Sequence, residues 1–298
     1  MPEPSRWGPA AAYAAICVIW GSTYLAIKVG LESFDPFFFA GVRYLLAGGV
    51  TYSVARWRGV TFPGPFSRWW PAFGIGVLFI ALSNGMVFWG ETRLGSGFTA
   101  LILTTSPLGT AALSPLVPGE RRPGALGWAG IGAGFVGTAI LFDPWRAGAV
   151  DIAAALVVEL SVVTWAAGSL WVRRIRGRYD PMALSVAHMA AGAPILLATA
   201  ALTGRAVVGP VTPRALAALG YLVVFGSVVA FAAYFYLLQH WGATRVSTST
   251  YVNPVIAVIL GALLLHEPVT ATMLAGTAVI LAGVTLVLRE EGTAGRTC

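Results

Sequence analysis

The chain has 298 residues, of which 57% are hydrophobic and only 10% charged, and its mean hydropathy is +0.77. An average soluble domain is nearer a quarter charged, so there are too few polar side chains to cover a water-facing surface of this size. The net charge of +7 does not mark a nucleic-acid binder, because the arginines stand in short clusters between apolar runs; with only Cys17 and Cys298, a disulfide framework or a CxxC metal site is excluded.

A membrane span needs about twenty mostly apolar residues, and ten such windows follow one another between Gly, Pro, Asp and Arg punctuation. In the first half they run over 9–30, 36–55, 69–90, 95–117 and 124–142. In the second they run over 149–172, 181–203, 213–240, 243–265 and 268–288. The first window is too long for a signal peptide and too similar to those after it, so it reads as a retained helix.

Comparing the chain with itself aligns Trp20 with Trp165, Lys28 with Arg173 and Asp35-Pro36 with Asp180-Pro181, all at a shift of 145 residues. Further on the shift is 147, pairing Gly95 with Gly242, Pro107 with Pro254, Glu120 with Glu267 and Thr138 with Thr285. The predicted fold is therefore an all-α integral membrane protein of ten transmembrane helices in two five-helix repeats, residues 1–147 and 148–298. An odd number of spans per repeat inverts the second repeat relative to the first, the symmetry that alternating-access carriers use.

With the N-terminus inside, cytoplasmic segments carry thirteen of the 19 basic residues, from Arg6 and Arg56 through Arg121, Arg173, Arg174 and Arg245 to Arg296. The opposite side holds Lys28, Arg93, Arg146, Arg205 and Arg214, while Arg43 lies within a span. The bias places both termini in the cytoplasm of a bacterial cell whose inner membrane the chain crosses many times. Trp7, Trp57, Trp69, Trp70, Trp89, Trp145, Trp171 and Trp241 fall near predicted span ends, where indole prefers the headgroup region.

Carrier sites lie near the midplane, where matching helices are interrupted. Pro107 and Pro254 meet that description: each lacks an N–H and frees a carbonyl about one turn earlier, at Leu103 and Thr250, beside Thr105, Tyr251 and Asn253. The alternative is a kink whose Ser and Thr hydroxyls bond their own helices. Trp20 and Trp165 are mid-span and repeat partners, which suits an aromatic-walled cavity with Ser22 and Asn84, although plain helix packing accounts for them equally.

Arg43, Glu159 and His188 are ionisable groups well inside spans, where a charge facing lipid costs a few kcal/mol or more. Arg43 or His188 suits a substrate carboxylate and Glu159 an ammonium or a relayed proton; an Arg43–Glu159 structural pair is the competing reading. Glu120 and Glu267 read more simply as complements to helix dipoles. Gly130, Gly134, Gly276 and Gly283 allow close helix approach, within the subunit or across a dimer.

The order of spans, Trp20-Gly21-Ser22-Thr23, the Phe39 to Arg43 stretch and Glu267-Pro268 together resemble the EamA-type branch of the drug/metabolite transporter superfamily, and within it the YddG-like amino-acid exporters. The resemblance covers nearly the whole chain, and helix six departs from it with Trp165-Ala166-Ala167-Gly168 in place of Trp-Gly-Ser-Thr. It implies an alternating-access carrier with a cavity between the repeats. The expected substrates are amino acids, aromatic and neutral ones included, bound between helices one, two, four, six, seven and nine.

A multidrug exporter of hydrophobic cations is the rival within carriers. A membrane enzyme lacks support, for there is no HExxH, GxSxG or phosphate loop. A non-transporting interaction protein would add a soluble domain, and no polar segment is long enough. No cofactor, metal or nucleic acid is expected; the partners are a small-molecule substrate and the bilayer, with a monomer as the working assembly.

Overall fold

The computed structural model describes residues 7–62, 64, 68–94, 96–118, 120, 122–142, 151–204, 206–265 and 270–294. Arg6, Gly95, Arg121, Trp145, Arg146, Arg205, Glu267, Pro268, Arg296, Cys298 and the expected boundary after residue 147 lie outside the described residues.

Helices make up the spans throughout. They are α1 (Trp7–Leu31), α2 (Pro36–Trp57), α3 (Trp70–Gly76), α4 (Gly85–Gly90), α5 (Ser96–Leu103), α6 (Ser106–Leu113) and α7 (Ala125–Phe142) in the first half. The second half holds α8 (Ile152–Arg174), α9 (Pro181–Thr203), α10 (Pro213–Val223), α11 (Ala230–His240), α12 (Ala243–Ser247), α13 (Ser249–Leu265) and α14 (Ala271–Ala294). A π-helical stretch, Val77–Asn84, joins α3 to α4, and a second, Val224–Val229, joins α10 to α11.

Among the described residues, seven helices are long and apolar enough to cross a membrane, and Ala125–Ile140 is a shorter apolar helix. The windows predicted over 95–117 and 243–265 are each broken, the first at Thr104–Thr105 and the second at Thr248. Only 28–50% of each long span's apolar window is buried, so the rest, including Leu45, Leu156 and Leu202, faces outward as lipid-facing surface. The chain is a multi-pass membrane protein.

Local chemistry sets the span ends. Asp35 accepts hydrogen bonds from Phe37 N (2.9 Å) and Phe38 N (3.1 Å), and its repeat partner Asp180 accepts from Met182 N (2.8 Å) and Ala183 N (3.4 Å). Each precedes a proline at the first helical position, where a missing N–H costs nothing. Asp151 caps α8 through Ala154 N, and that bond, with Arg93 at 3.4 Å, holds its carboxyl below the usual carboxylate range.

The glycines predicted to permit close approach do so within the subunit. A Cβ on Gly130 of α7 would stand 2.6 Å from the Gly283 carbonyl oxygen of α14, and one on Gly137 would stand 2.7 Å from Ile280 N. This pair of helices packs to one side of the main aromatic core, and Tyr251 fills the seam between it and α13.

The hydroxyl bonds follow the alternative reading, and the breaks do not fall at the prolines themselves. Pro107 sits in the first turn of α6, after the break, and Pro254 lies inside an unbroken α13. The carbonyls at the breaks are occupied by hydroxyls: Ser106 Oγ donates to Leu103 O (2.7 Å), Thr105 Oγ1 to Ile102 O (2.8 Å) and Thr248 Oγ1 to Arg245 O (2.6 Å).

Candidate functional site: an aromatic cavity with one guanidinium

A cavity of about 100 Å³ lies at the centre of the helices, far above the roughly 10–15 Å³ that one water requires. Its walls come from α1 (Trp20, Thr23, Tyr24), α2 (Arg43, Tyr44), the third span (Ser83, Asn84, Val87), α5 and α6 (Leu103, Ser106), α8 (Val162, Trp165), α11 (Phe231, Tyr234) and α12–α13 (Ser247, Ser249, Asn253). The stretch 83–87 and α11 thus contribute where helix seven was expected, and α9 supplies no lining residue among those described.

Trp20 and Trp165 meet edge to face, with ring centroids 5.5 Å apart, and Phe79, Phe231 and Tyr234 surround them. The indole of Trp165 donates to the Tyr234 hydroxyl (2.9 Å), which also pairs with Ser169 Oγ (2.7 Å). Fixed in this way, the rings form a rigid apolar wall.

The π-helical stretches provide the polar half. Winding to i+5 leaves carbonyls out of the regular ladder. In the stretch Val224–Val229, Gly226 O accepts from Arg43 Nη2 (3.0 Å) and Trp20 Nε1 (3.3 Å), while Ser227 Oγ accepts from Arg43 Nε (2.8 Å). In the first half, Asn84 Nδ2 closes the stretch on Phe79 O (2.7 Å) and its Oδ1 accepts from Tyr44 Oη (2.6 Å). Arg43 is therefore only 3% exposed yet held in the wall, with its guanidinium carbon 4.7 Å from the Tyr44 ring centroid. Among the described residues it is the one charged side chain lining the cavity.

The Trp20-Gly21-Ser22-Thr23 run divides its labour. Trp20 and Thr23 face the cavity. A Cβ on Gly21 would stand 2.9 Å from Asn253 O, so glycine lets α1 and α13 touch. Ser22 turns away, donating to Ile19 O (2.7 Å) and pairing with the Tyr221 hydroxyl of α10. With its amide oriented by its neighbours, Asn253 donates to Ser249 O (3.0 Å) and Cys17 O (3.2 Å), tying α13 to α1 beside the cavity.

Of the residues singled out from sequence, Trp20, Arg43, Asn84, Trp165 and Asn253 are brought together, and Ser22, Thr105, Glu159, His188 and Tyr251 are not. Glu159 does not pair with Arg43; half-buried on α8, its two carboxyl oxygens lie 3.0 and 3.1 Å from Thr105 Oγ1. His188 is fully buried, with Nδ1 against Leu184 O (3.1 Å) and its ring between Phe231 and Phe235. Tyr251 points away and donates to Ile131 O of α7 (2.8 Å). Pro107 closes the first turn of α6, and Pro254 is buried within α13.

Both ends of the bundle are tied across the halves. At one, Asp35 N donates to Ala206 O (3.1 Å) and Val208 N to Ser33 O (2.9 Å). At the other, Glu120 pairs with Arg173, and its second oxygen accepts from Ala243 N (3.2 Å), while Arg173 Nη1 donates to Leu238 O (2.9 Å). That pair is 9% and 3% exposed, so Glu120 is not a dipole complement to α7 but a buried joint between the halves.

The sequence pattern of the EamA-like transporter family matches residues 7–143 and again residues 152–289. The chain belongs to the EamA-like transporter family. Among its relatives, the uncharacterized inner membrane transporter YedA of Escherichia coli is 34% identical over 258 residues, 84% of this chain and 80% of YedA. The uncharacterized transporter sll0355 of Synechocystis is 28% identical, covering 92% of this chain and 87% of that protein, and YvbV of Bacillus subtilis is 26% identical, with 92% and 89% covered. A solved crystal structure with 20% sequence identity superposes at a TM-score of 0.79, over 95% of this chain and 98% of that one, a likeness of fold.

Several features of this EamA-like chain escaped sequence reading. The π-helical stretches carry no compositional mark, and Ser227 and Gly226, the partners of Arg43, sit in an apolar run. Glu91 follows Gly90 and precedes Thr92-Arg93, a context that reads as an exposed turn, yet it is fully buried.

Proposed function

We propose that this chain is an alternating-access carrier of small carboxylate-bearing metabolites, amino acids foremost, with aromatic and neutral ones among them, as in the YddG-like exporters. In this reading ten spans form two inverted five-helix halves, residues 1–147 and 148–298, in a bacterial inner membrane with both termini in the cytoplasm. The duplicated family match and the equivalent Asp-Pro caps support two halves. The broken windows supply two of the ten crossings.

The observation that carries the substrate class is Arg43. A lone guanidinium in an apolar, aromatic wall attracts a carboxylate through charge-assisted hydrogen bonds and repels a cation. Rings of Trp20, Trp165, Phe231 and Tyr234 suit an apolar or aromatic side chain, and the hydroxyls of Thr23, Ser83, Ser106 and Ser249 can accept from an ammonium. Hydrophobic cations also favour aromatic walls, which keeps the multidrug reading as the second arm of the test.

Purified protein in liposomes, offered radiolabelled phenylalanine, methionine and threonine and separately a lipophilic cation, decides between them. Saturable amino-acid uptake whose apparent affinity falls about 10–100-fold in Arg43→Gln supports the carboxylate reading. Cation uptake indifferent to Arg43→Gln, with no amino-acid uptake, overturns it.

A further inference from the structure

Glu91 stands at the end of the third span with a 0% exposed side chain, and neither of its carboxylate oxygens has a hydrogen-bond partner among the described residues. A buried ionised carboxylate without donors is costly, so a built protein retains one where it serves a function or is held neutral. Its neighbours are specific. Lys28 of α1 donates to the Glu91 carbonyl (3.4 Å), and Lys28 and Arg43 are the two cations within electrostatic reach of its carboxyl. Tyr24, a cavity-lining residue, feels its charge as well.

Among the described residues, the remaining elements around it bring no further charge to it. From α8 comes Val158, against Gly90; Glu159 on that helix faces Thr105. Arg93 in its own turn reaches outward to Asp151 (3.4 Å). Glu91 is thus one carboxyl facing two cations, one of which is the cavity guanidinium.

We propose that Glu91 is a proton-binding site coupled to carboxylate binding at Arg43. When Glu91 is ionised it neutralises the field of Arg43 and Lys28 and competes with an incoming carboxylate. When it carries a proton, Arg43 faces the cavity uncompensated, with Lys28 behind it adding to the positive field, and the substrate carboxylate takes that field. Substrate and proton therefore bind together. On release, the O–H bond of the carboxyl breaks, the proton passes to water once that end of the molecule hydrates, and the carboxylate is again held in the field of Lys28 and Arg43. Burial supports the protonated state here, raising the carboxyl to about 8 against the lowering pull of the two cations, and Glu91 lies just beyond the span that ends at Gly90. By reciprocity, the proton strengthens substrate binding by the same factor that substrate strengthens proton binding.

This inference rests on the carboxylate reading above, and two measurements separate the failures. Infrared spectra of the detergent-solubilised protein, titrated without substrate, carry a protonated-carboxyl band that fades as pH rises through about 8, is missing in Glu91→Gln and moves in Glu91→Asp. Absence of that band, or its persistence in Glu91→Gln, overturns the proposal whatever the substrate is. Phenylalanine affinity is then measured across the same pH range. The wild type weakens with rising pH by a factor within the roughly 5–150-fold span usual for such coupling, and Glu91→Gln, locked neutral, binds as tightly as the low-pH wild type throughout. A wild-type affinity flat with pH overturns the coupling while leaving the carrier intact. Should wild type bind no amino acid at any pH, the carboxylate reading fails and the coupling built on it fails too, while the infrared titration still decides whether Glu91 holds a proton.

Discussion

Lys28 and Arg173 stand 145 residues apart, each in the last turn of the first helix of its half, and each donates to a main-chain carbonyl at the end of the third span of that half. Lys28 Nζ reaches Glu91 O at 3.4 Å and Arg173 Nη1 reaches Leu238 O at 2.9 Å; the two acceptors are 147 residues apart. The π-helical stretches beginning at Val77 and Val224 carry the same offset. The two bonds fall in the two stretches that match the family pattern, residues 7–143 and 152–289. They also locate the difference between the halves: Arg173 holds a buried glutamate from the other half as well.

That joint is expected to govern both stability and access. Arg173→Gln or Glu120→Gln leaves one buried charge without its partner, at a cost of about 3–5 kcal/mol, read as a fall in the thermal midpoint of the detergent-solubilised protein. The double variant is expected to lose less than the sum, with a coupling of about 0.5–3 kcal/mol. A cysteine placed at Ser247 is expected to react faster with a thiol reagent in Glu120→Gln than in the parent. An unchanged rate would assign the pair to stability alone.

Arg43 is the anchor and Glu159 is not. Arg43→Gln is expected to weaken phenylalanine binding by about 10–100-fold, the worth of a charge-assisted contact of about 1.4–3 kcal/mol. Glu159→Gln, changed beside Thr105 and not among the cavity-lining residues, is expected to keep the affinity within about twofold. Equilibrium binding by scintillation proximity checks both, and the reverse ranking would favour cations as substrates.

The edge-to-face indoles are expected to be coupled. Single Trp20→Ala and Trp165→Ala changes each impair binding of aromatic substrates more than of threonine. The double-mutant cycle on stability is expected to return about 0.5–1.5 kcal/mol for the ring contact itself. Trp165→Phe, which keeps a ring but removes the donor to Tyr234, is expected to fall between wild type and alanine.

Gly130→Leu places side-chain atoms where Gly283 O and Leu286 already stand. Overpacking of this kind costs about 1–3 kcal/mol, seen as a lower thermal midpoint, whereas Gly132→Leu, whose Cβ would meet nothing within 4 Å, is expected to be nearly neutral.

The amino-acid sequence by itself determined the solvent and the multi-pass, all-helical character of the chain. Twenty-residue apolar windows, Asp-Pro caps at 35–36 and 180–181 and the mid-span pair Trp20 and Trp165 are all local or periodic signals, and the structure contains the caps and the paired rings. Only the tertiary structure decided which faces meet. In a soluble helix the apolar stripe marks the buried side, but in a bilayer the lipid-facing and core-facing sides are both apolar, so Tyr251 could not be placed toward the cavity or toward α7 from its spacing. The same ambiguity hid the Gly226 carbonyl that holds Arg43, since a π-helical stretch is set by packing rather than by composition. Glu91 was hidden for a third reason: the burial of a span-end carboxylate depends on neighbouring helices remote in the chain, Lys28 and Arg43 among their residues, and no local pattern records them.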